Sequence, residues 1–94
     1  NHEGNNVDEY ELFQNYPNPF NPRTVIRFSL SVVSKTLLKV YDINGREVQT
    51  LINEKLNTGK YSVEWDASEY PSGVYFYKLQ AGDFTDSKKL VLLK

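Results

Sequence analysis

The sequence contains no cysteine. Disulfides and thiolate metal ligands are therefore closed to it, and so is a thiol nucleophile. Its single histidine, His2, lies in a polar amino-terminal stretch, where chain ends usually stay loose. The side chain that most often moves protons near neutral pH is thus nearly missing. No serine sits in a G-x-S-x-G elbow, and the five glycines form no G-x-x-x-x-G-K phosphate loop. Acidic residues such as Asp42 and Asp66 read as turn and strand-end residues, not as a catalytic pair. No apolar run approaches the ~20 residues that span a bilayer, so direct membrane insertion is not expected. Neither sign of charge dominates: 11 basic and 12 acidic side chains leave a net charge of -1. Such a balance offers no broad attraction for nucleic acid or an anionic membrane. Methionine is absent even from position 1, and the chain is expected to be a piece of a longer protein. These absences together predict a non-enzyme without metal or cofactor.

What remains is the composition of one small folded domain. The 94 residues are 39% hydrophobic and 24% charged, outside the range of disordered tails. A domain of this size hides only roughly 60% of its unfolded surface. Aromatic residues, at 14% with seven Tyr and five Phe, supply bulk to a thin core. Residues 1–9 (NHEGNNVDE) hold one apolar side chain, Val7, and read as a linker from an upstream part of a longer protein. The domain is expected over residues 10–94.

Residues 15–22, Asn-Tyr-Pro-Asn-Pro-Phe-Asn-Pro, carry three prolines in eight positions. Each proline fixes its own φ and keeps the residue before it out of helical space. The segment reads as stiff and extended, anchored by Tyr16 and Phe20, with asparagine amides available to bond the local backbone. Beyond it, Ile26, Phe28 and Leu30 alternate with polar neighbours, as do Leu38 and Val40, then Tyr61, Val63 and Trp65. Strict alternation marks half-buried strands. Asn44-Gly45 between two such runs is a strong hairpin signal, and 81–83 reads as another turn. Residues 52–59 read as a longer polar connection, and 74–79 as a strand buried on much of both sides. About seven short strands with frequent turns, and no helical period, predict an all-β, immunoglobulin-like antiparallel β-sandwich. Inward positions are expected at Ile26, Phe28, Leu30, Leu38, Val40, Val48, Tyr61, Val63, Trp65, Tyr75, Tyr77 and Leu79.

The order of the motifs carries the reading further. N-Y-P-N-P-F-N-P at 15–22 leads into T-V-I-R-F-S-L at 24–30, L-K-V-Y-D-I-N-G-R-E-V at 38–48 and L-N-T-G-K-Y-S-V-E-W-D at 56–66. S-G-V-Y-F-Y-K-L at 72–79 and K-K-L-V-L-L-K at 88–94 complete the set. The chain resembles the type A C-terminal sorting domain of the type IX (Por) secretion system of the Bacteroidetes, over residues 10–94. Two departures are visible: Ser31 stands where the family usually has a proline, and Thr36 where an aliphatic residue is common. The resemblance implies a domain at the carboxyl end of a secreted cargo protein, which crosses the inner membrane on a Sec signal. The outer-membrane translocon then reads the folded domain, and a sortase-like peptidase commonly removes it. The cargo, in the periplasm only in transit, ends at the cell surface or outside the cell.

A signal read in the folded state needs a rigid outward shape. Pro17, Asn18, Pro19, Phe20, Asn21 and Pro22 are candidate recognition residues because a stiff segment loses little entropy on docking. Gly73 is a candidate for its backbone freedom, and Tyr75, two residues on, for its likeness to a tyrosine corner. Lys88 and Lys89 put charge beside an apolar run and also suit the guarding of an edge strand. Lys94 joins an ammonium to a chain terminus, a pair that a terminus-binding receptor reads. Two other classes compete with the address: a carbohydrate-binding or adhesion module, for which Trp65 is the obvious stacking residue although its alternation with Tyr61 and Val63 points it inward, and a structural accessory module of a secreted protein.

Overall fold

A computed structural model describes residues 9–94 of the chain. Seven strands follow one another: β1 (Glu11–Leu12), β2 (Arg23–Leu30), β3 (Ser34–Tyr41), β4 (Glu47–Leu56), β5 (Gly59–Asp66), β6 (Gly73–Ala81) and β7 (Phe84–Leu92). All pair antiparallel, in a three-stranded sheet of order β1-β2-β5 and a four-stranded sheet of order β4-β3-β6-β7. This is the expected immunoglobulin-like sandwich with one distinction. In the constant-type arrangement the fourth strand completes the first sheet, whereas here β4 stays beside β3. The hairpin between them explains the choice. The Asp42 N–H donates to the Arg46 carbonyl and the Asp42 carbonyl accepts from Gly45 N–H, and the Asp42 carboxylate also accepts from the Asn44 and Arg46 amides and the Arg46 guanidinium. The Arg46 amide first, then the Asn44 amide and the guanidinium, outweigh desolvation and hold the Asp42 carboxyl below its ordinary range. Within this loop only Gly45 adopts positive φ, at 86°, so the Asn-Gly signal yields a three-residue loop closed by glycine and not a two-residue primed turn.

The core lies between the sheets. From the first come Leu12, Ile26, Phe28, Leu30 and Trp65. From the second come Leu38, Val40, Tyr75, Tyr77, Leu79, Leu90 and Leu92, all buried. Nine of the twelve expected inward residues are buried, while Val48, Tyr61 and Val63 are half-buried at the margins. Trp65 sits at the centre of the aromatic packing, with ring centroids 5.8 Å from Phe20, 5.7 Å from Tyr70 and 5.8 Å from Tyr75. Its indole N–H donates to Gln49 Oε1 at 2.9 Å. Thus its polar atom is satisfied while its rings fill the layer.

Three local expectations are corrected. Residues 52–56 belong to β4, and only Asn57-Thr58 separates it from β5. Their polar composition misled because β4 is an edge strand, covered on one side only, and held by backbone pairing to β3. β6 is buried on one face: Tyr75, Tyr77, Leu79 and Ala81 point in, whereas Phe76 is 36% exposed. Tyr16 is 74% exposed and anchors nothing through its ring. Its backbone does that work, pairing with Val25. The linker expected over 1–9 lies, apart from Glu9, outside the described residues.

One tyrosine ties the two sheets together by its hydroxyl. Tyr77 of β6 is fully buried and donates to the Phe13 carbonyl, 2.6 Å away, just beyond β1. Burial pushes its phenol up to about 12, against the smaller opposing effect of backbone hydrogen bonding. A phenol that holds its proton more tightly when folded contributes stability fully present below the unfolded value of about 10. That contribution fades as pH rises through the folded value. Stability, measured by urea unfolding, is therefore expected to fall between pH ~10 and ~12. Tyr77→Phe should cost about 1 kcal/mol at neutral pH and make that alkaline decline shallower.

Candidate functional site

The proline-rich segment does not run as a continuous strand. It bends at Pro17–Pro19 and again at Asn21–Pro22, and the peptide bonds before Pro17, Pro19 and Pro22 are cis. What fixes it is hydrogen bonding to both sheets. On one side the Tyr16 and Val25 backbones exchange bonds of 3.0 and 2.9 Å. A buried polar triangle sits beneath them. Asn15 Nδ2 donates to Thr24 Oγ1 at 3.0 Å and to the Pro17 carbonyl at 3.1 Å, and Thr24 Oγ1 donates to that carbonyl at 2.9 Å. Proline supplies no N–H, so side-chain amides and hydroxyls take over the pairing that a ladder would provide.

On the other side the segment closes the outer edge of β7. The Phe20 N–H donates to the Val91 carbonyl and the Phe20 carbonyl accepts from Leu93 N–H, each at 2.9 Å. Asn18 Oδ1 accepts from Val91 N–H at 3.0 Å, and Gln14 Nε2 donates to the Lys89 carbonyl at 2.7 Å. Phe20 then turns its ring inward against Trp65, 2% exposed. The same end of the sandwich gathers the loop before β6. Tyr75 donates its hydroxyl to the Pro71 carbonyl at 2.7 Å, a corner of the kind expected. Burial chiefly, and then Asp42 and Tyr70, raise the Tyr75 phenol above its ordinary value. Lys94 closes the end: its N–H donates to Ser72 Oγ at 3.0 Å, and its ammonium donates to the Ser68 carbonyl. The arrangement brings residues 15–22, 68–75 and 88–94, far apart in sequence, onto one end of the fold.

The model of the secretion system C-terminal sorting domain matches residues 14–93. The chain belongs to that family. Solved structures that resemble the sorting domain include two from one organism. One is dimeric latent PorU from Porphyromonas gingivalis, 18% identical with a TM-score of 0.69, matched over 89% of this chain and 9% of that one. The other is PorZ, an essential bacterial surface component of the type-IX secretion system of the same organism, 19% identical with a TM-score of 0.59, matched over 88% of this chain and 11% of that one. At these identities the likeness is one of fold, and this chain spans about a tenth of either protein. No curated protein matches the sequence.

Within the sorting domain the candidate recognition residues divide in two. Pro17, Asn18, Pro19, Asn21, Lys89 and Lys94 are exposed, Pro22, Gly73 and Lys88 are half-buried, and Phe20 and Tyr75 are buried. The rings of Phe20 and Tyr75 both pack against Trp65, beneath the exposed residues. Lys88 stands opposite Tyr77 on the inward face, with Asp86 opposite Leu79. Lys94 spends its ammonium within the chain. Trp65, 1% exposed, offers no face to a sugar, which removes the residue on which the carbohydrate-binding reading rested. Sequence reasoning passed over Gln14, Thr24, Ser68 and Ser72 as site residues. Thr24 looks like any strand threonine, and only the unmet carbonyls of the proline run point to a need for it.

Two substitutions test this assembly. Phe20→Ala removes a buried ring and is expected to lower unfolding free energy by about 3–5 kcal/mol, read by chemical denaturation. Gly73, opposite Leu92, has a φ of 153°, and an added Cβ meets nothing within 4 Å. Gly73→Ala is therefore expected to cost about 1–3 kcal/mol through backbone conformation alone. An unchanged midpoint in either variant contradicts the packing described.

Proposed function

We propose that this sorting domain is the carboxyl-terminal address of a type A cargo protein of the type IX system, read by the outer-membrane translocon as a folded, non-catalytic shape. The observation that supports it is the joining of the proline-rich segment to β7. Recognition motifs from the two ends of the domain become one rigid outward surface: Pro17, Asn18, Pro19 and Asn21 beside Lys89 and Lys94. A stiff surface loses little entropy on docking. A sortase-like peptidase would then cut in the stretch before residue 10, and the cargo would finish at the cell surface or outside the cell. A structural accessory role has no comparable observation in its favour.

The test is to fuse the 94-residue chain to a Sec-exported fluorescent protein in a host that has the type IX system. The passenger is expected in the medium or on the cell surface. If it stays in the periplasm while a verified sorting domain exports the same passenger, the proposal fails. Asn21→Ala combined with Lys89→Glu, both on exposed side chains, should leave the melting curve unchanged. The pair is expected to cut export roughly tenfold, the effect of losing ~1.4 kcal/mol of recognition.

A further inference from the structure

A sheet edge left open invites another strand, and folded proteins guard such edges by a short list of devices. This domain guards three of its four. β1 is only two residues long. β4 carries two register irregularities against β3, at Leu38/Lys39 and Val40/Tyr41, which leave Leu51 and Val48 without Cα partners. The Tyr70 hydroxyl also caps the Val48 carbonyl at 2.9 Å. β7 is closed from Lys89 to Leu93 by Gln14, Asn18 and Phe20, and further back it turns Asp86 and Lys88 inward. Of such devices β5 has only charged side chains, Lys60 and Glu64, which are of opposite sign, and none of the others. It pairs with β2 over eight consecutive residues without a shift and stands at the edge of its sheet. No proline or bulge interrupts it, and among the described residues no strand lies on its far side.

The side chains of β5 say what fits there. Its outward face reads Lys60, Ser62, Glu64, all exposed, and its core-side margin reads Tyr61 and Val63, both half-buried. The order is basic, neutral, acidic, so the strand is complementary to itself only when reversed. We propose that a second copy of this chain docks antiparallel on β5 about a two-fold axis at Ser62. Lys60 then faces Glu64 twice, Ser62 faces Ser62, and Tyr61 covers Val63 twice. Opposite charges and an aromatic set against a β-branched residue are favourable cross-strand neighbours. The two three-stranded sheets become one of six, and a two-fold contact closes after one partner. This inference is independent of the export reading.

Sedimentation equilibrium of the 94-residue chain is expected to show a reversible monomer–dimer equilibrium. Glu64→Lys, or Lys60→Glu, sets like charges opposite each other twice and is expected to weaken dimerisation about tenfold or more. The double variant Lys60→Glu with Glu64→Lys restores the pattern and should dimerise like the wild type. An equimolar mixture of the two single variants should form heterodimers in preference to either homodimer. Both side chains are exposed, so the variants should fold, as circular dichroism will check. In the wild type, amide exchange in residues 59–66 should slow as concentration rises, independently of any substitution. A chain that stays monomeric near ~1 mM overturns the proposal. So does a dimer indifferent to charge reversal, or one whose β5 amides exchange alike at all concentrations.

Discussion

Backbone groups at the rim of a sheet must find partners, and in this domain the outer edge of β7 finds them in a segment that can scarcely pair with anything. Proline has no N–H to give. Between Asn15 and Pro22, the N–H of Phe20, its carbonyl and the Asn18 side chain are what the segment offers β7, and all three are used on Val91 and Leu93. Because Tyr16 is simultaneously paired with Val25 of the other sheet, the proline run bridges the two layers at their end. The position of Phe20 against Trp65, and of Tyr75 behind it, follows from that bridge.

The absence of disulfides gives this bridge added weight. Immunoglobulin domains often join their two sheets by a cystine beside a buried tryptophan. Here the tryptophan is present without the cystine. Non-covalent ties between layers take its place: the Tyr77 hydroxyl on the Phe13 carbonyl, the Trp65 indole on Gln49, and the Thr58 hydroxyl on the Leu30 carbonyl at the crossing from β4 to β5. Each net hydrogen bond of this kind is worth only about 1 kcal/mol. Their importance lies in leaving no buried side-chain donor or acceptor unpaired among the described residues, since an unmet group in a core this thin would cost more than a made bond returns.

Much of this architecture was legible because alternation is a direct consequence of strand geometry. Ile26, Phe28 and Leu30 had to share a face, and they do. Where both faces of a strand are wet, the pattern vanishes. Asn53, Glu54 and Lys55 therefore read as a loop, although β3 fixes their backbone in a sheet. Composition likewise identified residues 15–22 as a stiff element but could not show its path. That path depends on Thr24, nine residues away from Asn15 and indistinguishable in sequence from any other strand residue. Phe20 and Tyr75 illustrate the same limit from the other side. Motif position marked them as important, and only burial distinguishes a residue that shapes a surface from one that belongs to it.

That distinction bears on how an address of this kind can vary. Buried supports such as Phe20, Tyr75 and Trp65 are constrained by volume, because the space they fill is shared. The exposed positions beside them, Pro19, Asn21 and Lys89, fill no such shared space. A domain can be specific without catalysis if its outline is held rigidly. Here, rigidity comes from joining the first ordered segment to the last strand. Neither end can then move without breaking backbone hydrogen bonds at the other. An unfolded chain with the same residues would present the same chemistry without the outline. If the folded outline is what is read, as proposed, the information lies in the closure of the β7 edge as much as in the side chains that surround it.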